Sequence, residues 1–375
     1  MKSITITIIA LVFFSIACGE KENANIDSAH ENAEVSDNGV SITIIDEWTE
    51  YLQSSDDGLW EDSTEHTLSY RYLGHLYDEE DLDIPVYSPF ALCCYSDTIF
   101  ITDVATKQIV AMDDEGSVLW KAGGAGEGPG EFSMMTTLAV SGKYVAALNT
   151  HLGRVELFHR DGSFAHSIQV TRSQDIVALD DTTFIVASTE EQGGDLHIVN
   201  VNRGIERSFG QVNVDHYDGI LRPDLMRLCI GGHGRIAIFN RYEGLLTIYD
   251  IETEECLYSG SREYPSTINP PTPFTGSDGE THTVFFPIGG NAFLGPEGML
   301  NVIVCNYMDD GSFISDPEYL DFAPVSAVDR YDWDGNYLDS YCLPDSSINF
   351  VSSLNNNRLV ARNFAEGVLC LFERY

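Results

Sequence analysis

The chain has 375 residues, with 59 acidic against 20 basic side chains and a formal net charge of −39. At 43% hydrophobic it can bury the core of one large domain or two ordinary ones. A surface this acidic repels nucleic acid and anionic membrane and argues against both as partners, while suiting cations, basic ligands or plain solvation in a salty habitat.

Lys2 followed by the apolar run Ile4 to Ala17 reads as a targeting segment, too short for a comfortable membrane span. The run stops at "SIAC", residues 15–18, which resembles the bacterial lipoprotein signal, although Ser15 stands where that signal usually has Leu. The resemblance implies that residues 1–17 are removed and that Cys18 is lipidated; an ordinary secretory signal is the alternative. Either way the mature chain is expected outside the cytoplasm. Gly19, in place of the Asp associated with inner-membrane retention in enteric bacteria, points to the outer membrane. Residues 19–38 hold six acids, one Lys and almost no large apolar side chain. Such a stretch cannot bury enough surface to offset its ordering entropy, so 18–45 is read as an acidic tether.

Beyond Cys18, seven cysteines remain, at 93, 94, 229, 256, 305, 342 and 370. An odd number leaves at least one thiol unpaired in a monomer. Most lie in apolar strand patterns, where Cys also serves as a small hydrophobe. No CxxC or Cys/His zinc spacing occurs, so no bridge, metal or cofactor is assigned.

From residue 46 onward one pattern recurs. A short apolar strand ends on a small polar residue: "TIFITD" on Asp103, "YVAALN" on Asn149, "TFIVAS" on Ser188, "RIAIFN" on Asn240, "NVIVCN" on Asn306 and "RLVARN" on Asn363. A second apolar strand follows each, often closed by an Asp-Gly turn such as "DDEG", "HRDG" or "DWDG". Another apolar stretch precedes each, as in "PFALCCYSD". Every unit is thus four antiparallel strands, A to D. The polar ends fall 46, 39, 52, 66 and 57 residues apart, near the length of a propeller blade with insertions in the later units. The sixth unit reaches Tyr375 without a strand D, and "TLSYRYLG", residues 67–74, has the pattern of the missing one. The expectation is an all-β, six-bladed propeller over 46–375, closed by that N-terminal strand. Its blades fall near 88–124, 132–170, 174–210, 224–260, 284–342 and 346–375.

The glycine-rich "AGGAGEGPGEF", residues 122–132, falls between strand D of blade 1 and strand A of blade 2. No helix and no Lys-Ser/Thr pair follows, so it is a joint rather than a phosphate loop, with Phe132 expected to plug the gap between blades. "GAGEGPGEF" followed by "GRVELFHRDGSF" resembles the six-bladed propellers related to NHL repeats, common as lipoproteins in Bacteroidetes-like bacteria. The resemblance spans roughly residues 66–375, although blades 3 to 5 depart from the repeat, and it implies fold and location more than activity.

In such blades the D–A and B–C connections emerge on one face. The long connections 122–134, 211–224 and 261–283 are D–A joints and 307–326 is a B–C loop, so all four share that face. Its candidate ligand-binding residues are Arg222, Arg241, Tyr242, Tyr307, Arg362, His216, Tyr217 and Phe274, because arginine beside aromatic rings suits an anionic or planar group. Pairing of these arginines with the abundant acids is the competing reading. The polar strand ends are read as fixing B–C turns, "DWDGNYLD" as a plain turn, and the acids of 308–321 as a candidate cation loop. Amidating lyases on related propellers set channel histidines around a metal, but strand A here repeats no His, and no GxSxG occurs. The expected function is non-catalytic binding of a ligand or envelope protein by a monomer that touches membrane only through its lipid. The alternative is a hydrolase or lyase with its site at the mouth of the channel.

Overall fold

The computed structural model describes residues 70–77, 85–189, 194–211, 226–241, 244–261, 272–275, 281–284, 289–295, 297–304, 326–343, 348–355, 357–363 and 366–374. The expected signal, Cys18 and the tether lie outside them, as does the candidate cation loop 308–321. No helix among the described residues is long and apolar enough to cross a membrane.

Six four-stranded antiparallel sheets form the body, five of them in chain order A to D from the axis outward and the sixth with its outer strand taken from the N-terminal side. Blade 1 is Pro89–Tyr95, Thr98–Asp103, Gln108–Asp113 and Val118–Gly123. Blade 2 is Met135–Val140, Tyr144–Asn149, Arg154–His159 and Phe164–Gln169. Blade 3 is Ser173–Ala178, Thr183–Ser188, Leu196–Asn200 and Gly204–Phe209. Blade 4 is Met226–Ile230, Arg235–Asn240, Leu245–Asp250 and Cys256–Ser261. Blade 5 is Gly289–Leu294, Leu300–Val304, Ser326–Tyr331 and Tyr337–Leu343. Blade 6 takes Ile348–Ser353, Arg358–Asn363 and Val368–Arg374 from the C-terminus and Tyr70–His75 from the N-terminal side. The β-branched and aromatic residues that make strand B apolar throughout are buried on both faces, as in "TIFITD" and "YVAALN", because every blade is packed between two others.

The ring is closed. Each strand A packs against the next around the axis, and that of blade 6 packs against that of blade 1. Tyr70 pairs with Arg374, Tyr72 with Phe372 and His75 with Cys370, so the N-terminal strand covers what would be the exposed edge of the last blade. Inner strands of neighbouring blades splay apart and cannot share a ladder, so polar side chains lace them instead. The Thr102 hydroxyl donates to the Thr136 carbonyl at 3.0 Å, the Leu228 amide donates to Asp175 at 2.7 Å, and the Cys94 amide donates to Ser352 at 3.0 Å. Asn291 exchanges two bonds with the backbone of Val351, at 2.8 and 2.9 Å.

On the face of the short A–B and C–D turns a second contact repeats. The residue just after strand C, or the next one, receives a donor from the preceding blade. Trp120 donates to the carbonyl of Arg160 at 2.9 Å, Arg207 to that of Ile251 at 2.7 Å and Arg235 to that of Trp333 at 2.7 Å. His166 meets the Val201 carbonyl, and Arg358 reaches the Asp114 carboxylate at 2.6 Å. Blade 6 takes its strand D from Tyr70–His75 and so has no C–D turn; Arg374, at the end of its strand C, pairs instead with Glu297 of blade 5. The "DWDG" turn is a plain one, with Asp332 accepting the Asp334 and Asn336 amides at 2.9 Å each.

The glycine-rich joint behaves as expected. Phe132 is fully buried among Phe100, Ile109, Ala122 and Phe158, between blades 1 and 2. Gly123 has φ +92°, and a Cβ there would meet the Phe132 ring at 2.7 Å. The "GPGE" tip is pinned from below by the buried Glu156, which accepts the Gly130 amide at 3.2 Å and pairs with Arg154 at 2.8 Å. The joint at 261–283 differs from the open loop expected: Thr272–Thr275 and Thr281–Val284 pair as a short hairpin outside the blades. The thiols of Cys93, Cys94 and Cys229 lie in strands, and burial pushes Cys93 up to about 11 and Cys94 and Cys229 further, which makes these three packing groups rather than reagents.

Gly123→Ala is expected to lose about 2–4 kcal/mol, from the left-handed backbone and the ring overlap together. Phe132→Ala should lose about 3–5 kcal/mol. Urea unfolding of both variants checks the values; a Gly123→Ala change of less than about 0.5 kcal/mol would contradict the packing of this joint.

Candidate functional site

The face opposite the repeated blade-to-blade contacts carries the D–A joints and B–C loops around the axis of the ring. Strand order explains what gathers there: the first residues of every strand A and the last of every strand B. Arg227 is the second residue of blade 4's strand A and pairs in register with Phe239; Arg362 is the last but one residue of blade 6's strand B and pairs with Phe350. Both are buried, at 3% and 8% exposure.

Each guanidinium lies against a different phenyl ring, Arg227 over Phe350 and Arg362 over Phe90. The Arg227 Cζ lies 5.6 Å from the centroid of Phe350, so the side chain spans from blade 4 to blade 6. Blade 5, between them, opens its inner strand with Gly289 and Gly290, and the Asn349 carbonyl would stand 2.4 Å from a Cβ at Gly290. The Arg362 Cζ lies 5.4 Å from the Phe90 ring of blade 1, and its Nη1 donates to the Phe90 carbonyl at 3.3 Å. Arg227 Nη1 donates to the Met226 carbonyl at 3.0 Å. Each cation is thus held against a phenyl ring by a backbone oxygen, an arrangement worth about 0.5–2 kcal/mol per ring. Asp175, buried in blade 3, accepts the Leu228 amide next to Arg227 and a bond from Thr137. Burial pushes its carboxyl above the usual range, and the Arg227 charge pulls it partly back.

Of the residues expected from sequence, Arg362 stands in this mouth, against Phe90 of the neighbouring blade. Arg241 is buried immediately after blade 4's strand B, on the same face. Phe274 lies in the short hairpin opposite His282, and Arg222, Tyr242, Tyr307, His216 and Tyr217 lie outside the described residues. Two of the described polar strand ends, Asp103 and Asn363, hold the B–C turn that follows them, while Asn149 bonds the joint before its blade. Asp103 accepts the Ser88, Ala105 and Thr106 amides, Asn149 ties down Met134 and Glu131 of the preceding joint, and Asn363 accepts the Glu366 amide. Ser188 departs from the pattern: its hydroxyl meets His197 Nε2 at 2.6 Å, and His197 Nδ1 meets Ser208 at 2.7 Å. Asn306 lies outside the described residues.

Arg227, Asp175, Phe90 and Phe350 were not expected. The available signal was a charged residue near the start of an apolar inner strand, in "MRLCI" and "SQDIVA". A shallow hollow on the outer wall, lined by His166, Ser167, Gln169, Val201 and Asn202, lies away from the mouth between blades 2 and 3. Among the described residues no group of His, Cys, Asp and Glu is placed to hold a metal ion.

The raised Asp175 pKa has a testable sign. A carboxyl with a folded pKa above its unfolded one stabilises the fold when protonated and loses that contribution as pH rises through the folded value. The wild type should therefore gain stability relative to Asp175→Asn as pH falls from about 7 to about 5, read as the difference in urea midpoints. A difference that is flat or reversed would show that Arg227 outweighs burial.

A protein family described as 6-bladed beta-propeller matches residues 79–255. No curated protein matches the chain. Three solved structures are similar. A member of the duf4221 family from Bacteroides vulgatus has a TM-score of 0.54 at 8% identity, covering 83% of this chain and 98% of that one. A protein from Bacteroides fragilis has a TM-score of 0.51 at 13% identity, covering 81% and 94%. A catalytically inactive His-to-Ala variant of virginiamycin B lyase from Staphylococcus aureus, with quinupristin, has a TM-score of 0.51 at 9% identity, covering 82% and 88%. At such identities the likeness is one of fold, and the fold is a six-bladed β-propeller.

Proposed function

We propose that this chain is a lipid-anchored, extracytoplasmic propeller that binds a ligand or envelope partner through its long-loop face without chemistry of its own. The observation that carries the reading is the pair Arg227 and Arg362, brought from blades 4 and 6 to one channel mouth and held against aromatic rings. An arginine stays protonated at any working pH, so it offers charge and hydrogen-bond geometry rather than proton transfer. The opposite face is taken up by contacts between blades, which leaves the mouth as the place where side chains can be given to a ligand. The tether of residues 18–45 and the cysteine after "SIA" support attachment through Cys18, with the outer membrane as the address. Hydrolase or lyase action at the same mouth is the rival.

The test is native co-purification from envelopes in mild detergent, followed by a wash in high salt. An electrostatic ligand should be retained at low salt, released at high salt and recovered chemically unchanged. Recovery of a cleaved or eliminated product would establish the rival. Cys18→Ser should move the chain from the detergent phase to the aqueous phase in detergent partitioning, and retention in the detergent phase would remove the lipid anchor.

A further inference from the structure

We infer that the outer wall where blade 6 meets blade 1 is a docking surface for the chain's own residues 59–62, with Leu59 and Trp60 on an apolar patch and Glu61 and Asp62 beside Lys121. The patch belongs to the two outer strands at the closure of the ring. Leu73 on Tyr70–His75 is 43% exposed, and Val118 and Leu119 on Val118–Gly123 are 40% and 54% exposed. They border one hydrophobic cluster. Val118 pairs in register with Met112, and Gly74, next to Leu73, pairs with Leu371. Met112 belongs to the cluster that holds Leu76, Val86 and Leu369, and Leu371 packs against it. The two blades touch at this point: a Cβ on Gly116, two residues before Val118, would stand 2.1 Å from the Leu76 carbonyl oxygen. Single exposed apolar side chains are ordinary, whereas a group assembled from two blades marks a covered surface.

Reach, chemistry and charge name the occupant. Trp60 lies ten residues before Tyr70, a stretch that spans at most about 36 Å, so the chain that enters the closing strand passes this patch. Leu59 and Trp60 form an apolar pair between "SSDDG" and the acids Glu61 and Asp62, and an indole carries a large apolar surface. Lys121 pairs with Val110, a member of the same cluster as Met112, so it shares a strand face with Val118. It is exposed and makes no ion pair among the described residues, which suits the two acids after Trp60. A second copy of the chain fits less well, since a net charge of −39 opposes its approach. Docked there, the segment ties blade 1 to the closing strand and adds a second lock at the seam.

The test uses the full-length chain in detergent with nitrogen-15 in its tryptophans, at positions 48, 60, 120 and 333. The indole N–H signal of Trp60 is identified by its loss in Trp60→Phe. Its hydrogen exchange should be at least about tenfold slower in the wild type than in Val118→Asp, and Lys121→Glu should speed it by about two- to fivefold. An unmoved Trp333 signal, from blade 5, shows that each variant is folded. Fast exchange of Trp60 in the wild type, or slow exchange that neither variant alters, would overturn the inference. Protection that disappears on dilution would overturn it too, by giving the patch to a second copy.

Discussion

A propeller has to hold together sheets that share no backbone ladder, and here that is done by a donor carried from each blade to the start of the next blade's C–D turn. Trp120, His166, Arg207, Arg235 and Arg358 all perform this step although they differ in chemistry and stand on different strands. What repeats is the acceptor position, and in four cases the acceptor is a backbone carbonyl. A carbonyl is present whatever the side chain, which frees the turn sequences to vary. In blade 6, whose strand D comes from the N-terminal side, an ion pair between Arg374 and Glu297 takes the same place. An exposed ion pair is worth less than a buried hydrogen bond, about 0–1 kcal/mol, so this junction leans on the pairing of Tyr70–His75 with Val368–Arg374.

These contacts occupy one face and so decide the use of the other. The laces on the inner strands, Thr102, Asn291 and Ser352, satisfy backbone groups and are structural. Asp175 combines two duties, since it receives the Leu228 amide across a blade junction and sits beside Arg227. A buried carboxyl whose pKa is raised in spite of an adjacent arginine adds little to stability at neutral pH.

The sequence made the ring legible because strand B is buried on both faces and ends on a polar residue, a signal that survives insertions of any length. The closing strand was legible from a count, three strands left in the last unit and one spare near the start. Arg362 and Arg241 could be found because they adjoin those strand ends. Arg227 and Asp175 were missed for a physical reason: inside an apolar inner strand, a single charge reads as noise until the axis it points toward is known. The pairing of Thr272–Thr275 with Thr281–Val284 was not read from the sequence, because register is set by contacts that no local pattern records.

The closing strand also governs how this chain comes into being. Tyr70–His75 is among the first parts synthesised and Val368–Arg374 among the last, so the earliest strand waits for a mate that emerges roughly 15–60 s later at ordinary ribosome speeds. During that interval five blades can collapse in turn, each on the one before, while the circle stays open at a single seam. The final step is then a long-range zippering rather than a local fold, and a truncated polypeptide would be left as an arc with two sticky ends.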